Sequence, residues 1–515
     1  MKDYVVGLDV GTLETKAIVF DREGKAVSKG ARELGMSFPR EGWFEQDLNE
    51  IWIKTASAIH DSIVAAKIAS KEIACISVTG QRETVCPVDR EGKPLRPAMS
   101  WQDTRGWGIC KTIRRTVGAE TVYKITGLPV NTMPSASKIV WTKRNEPEIY
   151  KKAWKFIGVV DFIVWKLSNQ LVTDCSNANR TMLFDIRMLD WSNELLREFR
   201  LDREKMLDLV KPGTPVGTMT DESCKRTGLS RRVPVIYAGG DQQCSALGIG
   251  IVKPKRVSCI LGTCTNIEAF SERIPFDPKM SLQAQVHVIP HAYLSEGGIG
   301  TSGIIYRWFR DQFGQMESQV AKELNEDPYK LLDQEAASVE PGSNGLMLIP
   351  YFAGSLFPYW NAEDRGVLIG LRLDHTRKHF IRAILEGIAY EYRRMAEEAE
   401  RVSRVEIDTI RFMGGGARSS LWTQIFTDVL GVKGEIPEVT EAGAFGAYML
   451  GAVAIGRYHT AAEAAERSVK ITRKMKVNPN LHERYSKLYG IYRQVYDRIQ
   501  SLVNEISRIS NTSSR

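Results

Sequence analysis

The sequence describes a two-domain α/β protein, and three observations lead there. At 515 residues the chain exceeds the size at which a single hydrophobic core stops growing, so two large domains are expected. Short apolar strands alternate with amphipathic helical stretches, which is the α/β pattern. A strand, Gly-Thr, strand unit also occurs twice, about half the chain apart, as an internal duplication would leave it.

The first unit opens with apolar Tyr4 to Leu8, turns at Gly11-Thr12, and continues with apolar, β-branched Thr15 to Phe20. The turn-rich Asp21-Arg22-Glu23-Gly24 then leads to a third strand near Ala26 to Arg32, giving a β-meander. The second copy is Val257 to Leu261, Gly262-Thr263, and Asn266 to Phe270. Ile73 to Val78 and Val233 to Ala238 read as strands between them. From His379 to Val402, Phe380, Ile384, Ile388, Tyr392 and Met395 repeat every three or four residues and predict a long helix; Leu481 to Ile506 predicts another. The polar stretch Ser510 to Arg515 is expected to fray. We place the domain boundary so that residues 1–248 form one domain and 249–515 the other.

Composition narrows the function. Lysine and arginine number 70 against 62 acidic residues, a net charge of +8 that is mild over this length and gives no reason to expect a nucleic-acid partner. Asp9 breaks the short apolar run at the N-terminus, which lacks the form of a signal peptide. Ala444 to Gly456, the most apolar stretch, is far short of the roughly 20 residues that cross a bilayer, so no membrane partner is expected. The eight cysteines show no C-x-x-C spacing, which points to reduced thiols and a cytoplasmic location. His287 with His291, and His375 with His379, lack the additional ligands of a zinc site.

The chemistry concentrates at the turns. In Asp9-Val10-Gly11-Thr12-Leu13-Glu14-Thr15-Lys16 a carboxylate ends a strand, a glycine turn offers backbone N–H groups, and a lysine follows. A polyphosphate needs amide donors, a hydroxyl and a cation, with a carboxylate that can hold magnesium through water. Leu261-Gly262-Thr263-Cys264-Thr265 offers a second amide-and-hydroxyl turn. Gly414-Gly415-Gly416-Ala417 follows apolar Ile410 to Met413 and precedes the helical Leu421 to Leu430, so a base or phosphate could approach its backbone; a tight packing turn would explain the same glycines.

Asp9-x-Gly-Thr, Gly239-Gly240-Asp241-Gln242-Gln243 and Gly414-Gly415-Gly416-Ala417, in this order, resemble the FGGY family of carbohydrate kinases. Met133-Pro-Ser-Ala-Ser-Lys138-Ile-Val-Trp141 and Gly366-Val-Leu-Ile-Gly370-Leu371 extend the resemblance, which covers about residues 4 to 470. It implies two ribonuclease-H-like domains of the actin/hexokinase type, with a central cleft closing on ATP and an acceptor. Within the family, Gln81-Arg82-Glu83-Thr84, Trp101-Gln102, Thr173-Asp174, Asn177 to Phe184 and Asp241-Gln242-Gln243 look most like the glycerol kinases.

That resemblance implies ATP-dependent phosphorylation of a hydroxyl on a small polyol or sugar, with Mg²⁺, in a homo-oligomer (dimer or tetramer). It assigns Asp241 as the base and Arg82, Glu83, Trp101, Met133, Gln242 and Asn266, with Asp241, to the acceptor. Asp9 and Asp241 would help place the metal. Gly11, Thr12, Lys16, Gly262, Thr263 and Gly303 are the phosphate-side candidates, and Gly414, Gly415, Gly416 and Ser420 those for adenosine. Two departures stand out: Met133 and Asn266 occupy positions where glycerol kinases carry a tyrosine and a phenylalanine. Both loosen an aromatic enclosure and leave room for a longer or more oxygenated acceptor, so a ketose kinase of the xylulokinase or ribulokinase type is the alternative enzyme. The Gln81-Arg82-Glu83-Thr84 segment differs from the Gln-Met-His-Gly typical of xylulokinases. A non-catalytic, sugar-responsive regulator on the same nucleotide fold is the alternative outside enzymes.

Overall fold

A computed structural model describes residues 3–512; of the terminal stretch expected to fray, residues 513–515 lie outside the described residues. The chain forms two compact units. The first comprises Met1–Val252, Glu272–Leu294 and Glu441–Val469, and the second Lys253–Ser271, Ser295–Thr440 and Lys470–Arg515. As compact units the two halves are interleaved in sequence, with segments beyond residue 248 returning to the first unit. These two segments do so because their apolar and amide side chains find partners there.

The first unit is built on a six-stranded sheet. Its strands are β1 (Tyr4–Val10), β2 (Glu14–Phe20), β3 (Ala26–Glu33), β4 (Ile73–Gly80), β5 (Thr214–Thr218) and β6 (Pro234–Gly240). They lie in the order β5-β6-β4-β1-β2-β3. The predicted meander is the antiparallel run β1-β2-β3, while β4 is parallel to both β1 and β6. Parallel strands are covered on both faces, and all eight residues of β4 are buried. The helix Leu48–Ala66 packs Ile51, Trp52, Ile59 and Ile63 into the same core as Val6, Leu8, Val10 and Ile76. The helix Ala442–Ala454 also belongs to this unit, and Phe445 and Tyr448 lie against Phe20 with ring centroids 5.5 and 4.9 Å away.

The second unit repeats the pattern. Strands β7 (Arg256–Leu261) and β8 (Thr265–Ser271) form an antiparallel hairpin around Gly262-Thr263. They are joined by β9 (Tyr293–Ile299), β10 (Thr409–Met413), β11 (Lys433–Pro437) and β12 (Ile471–Met475) in the order β9-β8-β7-β10-β11-β12. Strand β10 is parallel to β7, as β4 is to β1. The duplicated Gly-Thr hairpin thus sits in the same local topology in each unit. The two long predicted helices run Arg377–Ser403 and Pro479–Thr512, and no helix among the described residues is long and apolar enough to cross a membrane.

Candidate active site

Three parallel strands of the first unit end on one edge of its sheet, and each delivers polar side chains there. The register sets Asp9 beside Thr79 and Thr79 beside Gly239. Strand β1 therefore ends near Asp9, β4 runs into Gln81-Arg82-Glu83, and β6 runs into Asp241. Carboxyl ends of parallel strands are where open α/β sheets bind ligands, because the chain must turn there and side chains from several strands converge. Thr79 Oγ1 donates to the Gly239 carbonyl at 2.8 Å, locking β6 to β4 just before Asp241.

Asp241 begins the helix Asp241–Gly248. Its Oδ1 accepts the Gln242 amide at 2.8 Å and lies 3.3 Å from Arg82 Nε. Arg82 Nη1 donates to Gln285 Oε1 at 2.8 Å and Gln243 Oε1 at 3.2 Å. Loss of water around the Asp241 carboxyl pushes its pKa from 3.8 up to about 7; Arg82 opposes the rise, while the Asp9 and Glu83 charges add to it. Such a carboxyl changes charge near neutrality, which is what a general base requires.

Glu83 has φ 62°, an unusual backbone conformation for a side-chain-bearing residue. Buried Arg180 holds it there, donating from Nε to Glu83 Oε1 at 2.6 Å with Nη2 at 2.5 Å from the same oxygen. Arg180 Nη1 donates to Gln283. Trp101 Nε1 donates to Thr12 Oγ1 at 3.0 Å, and its backbone N–H to Thr84 Oγ1 at 3.2 Å. Gln81 Nε2 donates to the Gly11 carbonyl and to Gln46 Oε1, each at 3.0 Å, and Gln46 Nε2 to the Thr12 carbonyl at 2.8 Å. The first Gly-Thr turn and the Arg82-Glu83 segment are therefore one hydrogen-bonded body.

Asp9 Oδ1 and Gln242 Oε1, at the ends of β1 and β6, are among the buried side-chain atoms without a hydrogen-bond partner among the described residues. Burial pushes the Asp9 pKa up to about 6, against the pull of Lys16. A buried, unsatisfied carboxylate oxygen is costly unless something binds it. No group of three or more His, Cys, Asp or Glu able to hold a metal occurs among the described residues. Asp9 with Asp241 instead fits Mg²⁺, which uses one or two carboxylates and takes its remaining oxygens from water and substrate phosphates.

Several candidates take other positions than the sequence suggested. Lys16 is ion-paired with Glu441 at 2.9 Å and Glu14 at 3.2 Å, so its charge is largely matched within the protein. Gly303 donates its amide to the Gly262 carbonyl at 3.0 Å and packs so closely that a Cβ would lie 2.3 Å from that oxygen. It shapes the second turn from behind and does not offer an N–H to phosphate. The Gly11 amide is taken by the Glu14 carbonyl and that of Gly262 by the Cys264 carbonyl. Among the described residues the amides of Thr12, Leu13, Thr263 and Cys264 have no protein partner, so these are the turn donors left for an anion.

At Gly414 and Gly416 the packing explanation holds, since a Cβ would stand 2.6 Å from the Leu261 carbonyl or 2.8 Å from the Trp422 ring. A Cβ at Gly415 would meet only Arg418 Nη2, at 3.9 Å, and Ser420 is exposed, which leaves those two able to meet a nucleoside. Met133 lies on the loop before the helix Ser135–Asn145, its carbonyl accepting from buried Lys138 Nζ at 2.5 Å. Asn266 belongs to the second unit, on β8, with Oδ1 against Gly298.

Sequence reasoning assigned no role to Arg180, Gln283 or Gln285. Arg180 lay inside a motif already noticed, and the signal for the others was polar alternation, Gln283-x-Gln285-x-His287, on an otherwise apolar strand.

The N-terminal domain pattern of the FGGY family of carbohydrate kinases matches residues 4–248, and its C-terminal domain pattern residues 257–455. The chain belongs to the FGGY family of carbohydrate kinases. It is 31% identical to a gluconokinase of Bacillus subtilis over 89% of this chain and 88% of that protein. It is 32% identical to glycerol kinase 2 of Thermotoga maritima over 96% and 98%. The fold superposes on the crystal structure of a ligand-bound xylulose kinase from Lactobacillus acidophilus with TM-score 0.91, at 24% identity and 98% and 99% coverage. The protein is thus an ATP-dependent carbohydrate kinase with the two-domain sugar-kinase fold, and the enzyme reading stands over the regulator.

Proposed function

We propose that this kinase phosphorylates a neutral polyol or ketose, with Asp241 taking the proton of the attacking hydroxyl. The observation that carries the reading is that both arginines at the site are already matched by carboxylates, Arg82 by Asp241 and Arg180 by Glu83. An acidic sugar would need a cation left over for its carboxylate. A neutral acceptor needs what remains: Glu83 and Gln242 Oε1 to accept hydroxyl protons, Arg82 N–H groups to donate, and the Trp101 face to cover carbon.

In the mechanism, Asp241 in its ionised form accepts the hydroxyl proton as the oxygen attacks the terminal phosphorus of ATP, and ADP leaves. Arg82 orients the carboxyl and moderates its basicity. Trp101, through Thr12, ties the acceptor wall to the phosphate turn, so misplacement of one disturbs the other. Asp9 and Asp241 would hold Mg²⁺, which supplies charge neutralisation for the β- and γ-phosphates. Phosphoryl transfer depends mainly on such positioning and electrostatics, with general-base help worth about 10²–10⁴-fold. The free amides of Thr12, Leu13, Thr263 and Cys264 are the proposed phosphate donors, and Gly415 and Ser420 the proposed adenosine contacts.

A coupled ADP-release assay across glycerol, erythritol, ribitol, xylulose, ribulose and gluconate tests the proposal. Turnover with a neutral acceptor is expected to exceed that with gluconate; a preference for gluconate would overturn it. Because Asp241 must be ionised and its pKa is raised to about 7 in the protein without metal, kcat/KM for ATP, which reports the enzyme before nucleotide and metal bind, is expected to fall as pH drops through about 7 and to level off above it. A profile flat down to pH 5 would exclude Asp241 as the base.

The metal assignment has its own test. A Cβ at Gly443 would stand 2.4 Å from Asp9 Oδ2. Gly443→Ala should therefore displace the Asp9 carboxylate and raise the Mg²⁺ concentration needed for half-maximal rate by roughly tenfold or more, the size of loss seen when a ligand is misoriented. An unchanged Mg²⁺ requirement would remove Asp9 from the metal site.

A further inference from the structure

Between the two arginine–carboxylate pairs runs a short ladder of glutamines that nothing in the proposed chemistry uses. Gln283 and Gln285 sit two apart on the strand Gln283–Val286, so both side chains leave the same face. Gln285 Oε1 accepts from Arg82 Nη1 at 2.8 Å and from Gln243 Nε2 at 3.0 Å. Gln285 Nε2 in turn donates to Gln283 Oε1 at 3.3 Å, and Gln283 Oε1 also accepts from Arg180 Nη1. Gln243, Gln283 and Gln285 are all buried, as are Arg82 and Arg180.

We propose that Gln283 and Gln285 are positioning residues that couple Arg82–Asp241 to Arg180–Glu83, so that the acceptor pocket has one preferred arrangement of its two charged pairs. The inference rests on the reading of these pairs as the acceptor site. An amide can do this where a carboxylate or a hydrocarbon cannot. Its carbonyl accepts from an arginine without adding charge, and its NH₂ passes the orientation to the next amide. Each arginine fixes which way its glutamine points, and the Gln285-to-Gln283 bond makes the two choices consistent. Cut in the middle, each arginine would keep its own carboxylate but lose its reference to the other, and hydroxyls bound by both pairs at once would be held less well.

The segment that carries the ladder is the short stretch Glu272–Leu294, which the second half of the sequence contributes to the first unit. Val286 N–H donates to Asn179 Oδ1 at 3.1 Å, and the Ala284 amide to the Gly127 carbonyl at 2.8 Å. The strand is thereby bonded to the helix Cys175–Asn179 that ends just before Arg180. The ladder is thus held at both ends and in the middle by backbone, as a rigid positioning element should be.

A double-mutant cycle on the full-length enzyme tests this, using whichever of the six acceptors above the parent turns over fastest. Gln283→Met and Gln285→Met are each expected to raise the acceptor KM about tenfold, with the ATP KM within about twofold of the parent, as for loss of one oriented hydrogen-bond network. Because the two residues act as one unit, the double variant should raise the acceptor KM by clearly less than the product of the single effects. Multiplicative losses would show that the two amides act independently, and equal changes in both KM values would show a general structural role; either overturns the coupling. Should the methionine variants fail to fold, Gln285→Glu alone cuts the ladder: it keeps the oxygen that accepts from Arg82 but removes the Nε2 donor to Gln283 Oε1, and the same tenfold rise in acceptor KM with the ATP KM within about twofold is expected; an unchanged acceptor KM would overturn the coupling. If the parent itself turned over none of the acceptors, the function reading would fail. A parent active on one of them with multiplicative variants would sink only the ladder.

Discussion

Asp241→Asn is expected to lower kcat/KM by about 10²–10⁴-fold while leaving the fold at least as heat-resistant as the parent's. Asparagine has the same shape and can still accept the Gln242 amide through its carbonyl, so the start of the helix is preserved. What is lost is the group that can take a proton. The stability half of the prediction follows from the raised pKa. The folded protein binds a proton at Asp241 more tightly than the unfolded chain does, so protonation at this site contributes stability that is fully present below about pH 4 and declines as pH rises from there. That gain is lost as pH rises through about 7, where the ionised form remains and is disfavoured by the fold. Asparagine never ionises. Melting curves without nucleotide or metal should therefore show Tm of the variant rising relative to the parent from acidic to mildly alkaline pH. A purely structural aspartate would give the opposite pair of results, lower Tm with activity reduced only in proportion.

Arg180→Met is expected to cost the most stability of any single change at the site, about 3–5 kcal/mol, because it leaves the Glu83 carboxylate buried without its bidentate partner. Glu83 sits in a left-handed backbone conformation that its side chain must be held to keep. Removing the guanidinium also takes one of two donors from Gln283 Oε1, leaving only Gln285 Nε2. Activity should fall with it, chiefly through the acceptor KM. The diagnostic result is partial rescue: in Arg180→Met with Glu83→Gln the buried charge is gone, and calorimetry should show Tm recovering while acceptor affinity stays poor. If the second substitution lowered Tm further, the Arg180–Glu83 pair would not be the reason Arg180 is needed.

Much of the architecture could be read from the chain because it is locally encoded. The two Gly-Thr hairpins, the strands at Ile73 and Pro234 and the two long helices each announce themselves through period and turn residues, and all are present. The interleaving of the units was not legible. Nothing local distinguishes a helix such as Ala442–Ala454 that packs on a distant strand from one that packs on its neighbour, since both are simply apolar on every side. The site divides the same way. Asp9, Arg82, Glu83, Trp101 and Asp241 stand at or just beyond strand ends, where a polar residue after an apolar run invites explanation, and the first unit gathers all five. Arg180, Gln283 and Gln285 act through partners about a hundred or more residues away in the chain, so their role emerges only when the fold brings those partners to them. Lys16 and Gly303 erred in the other direction. The residue types suited a phosphate, but Glu441 and the Gly262 carbonyl, both remote in sequence, had already claimed them.

The return of Glu441–Val469 to the first unit has a consequence for biogenesis. Phe20, near the start of the chain, rests on Phe445 and Tyr448. While the ribosome is still translating, the N-terminal sheet has no cover for that face until more than four hundred residues have emerged. It must wait as an incomplete intermediate with exposed apolar strands, the kind of species that recruits chaperones or aggregates. A nascent chain stalled before residue 441 should stay protease-sensitive throughout its first unit, however long its leading segment has had to fold.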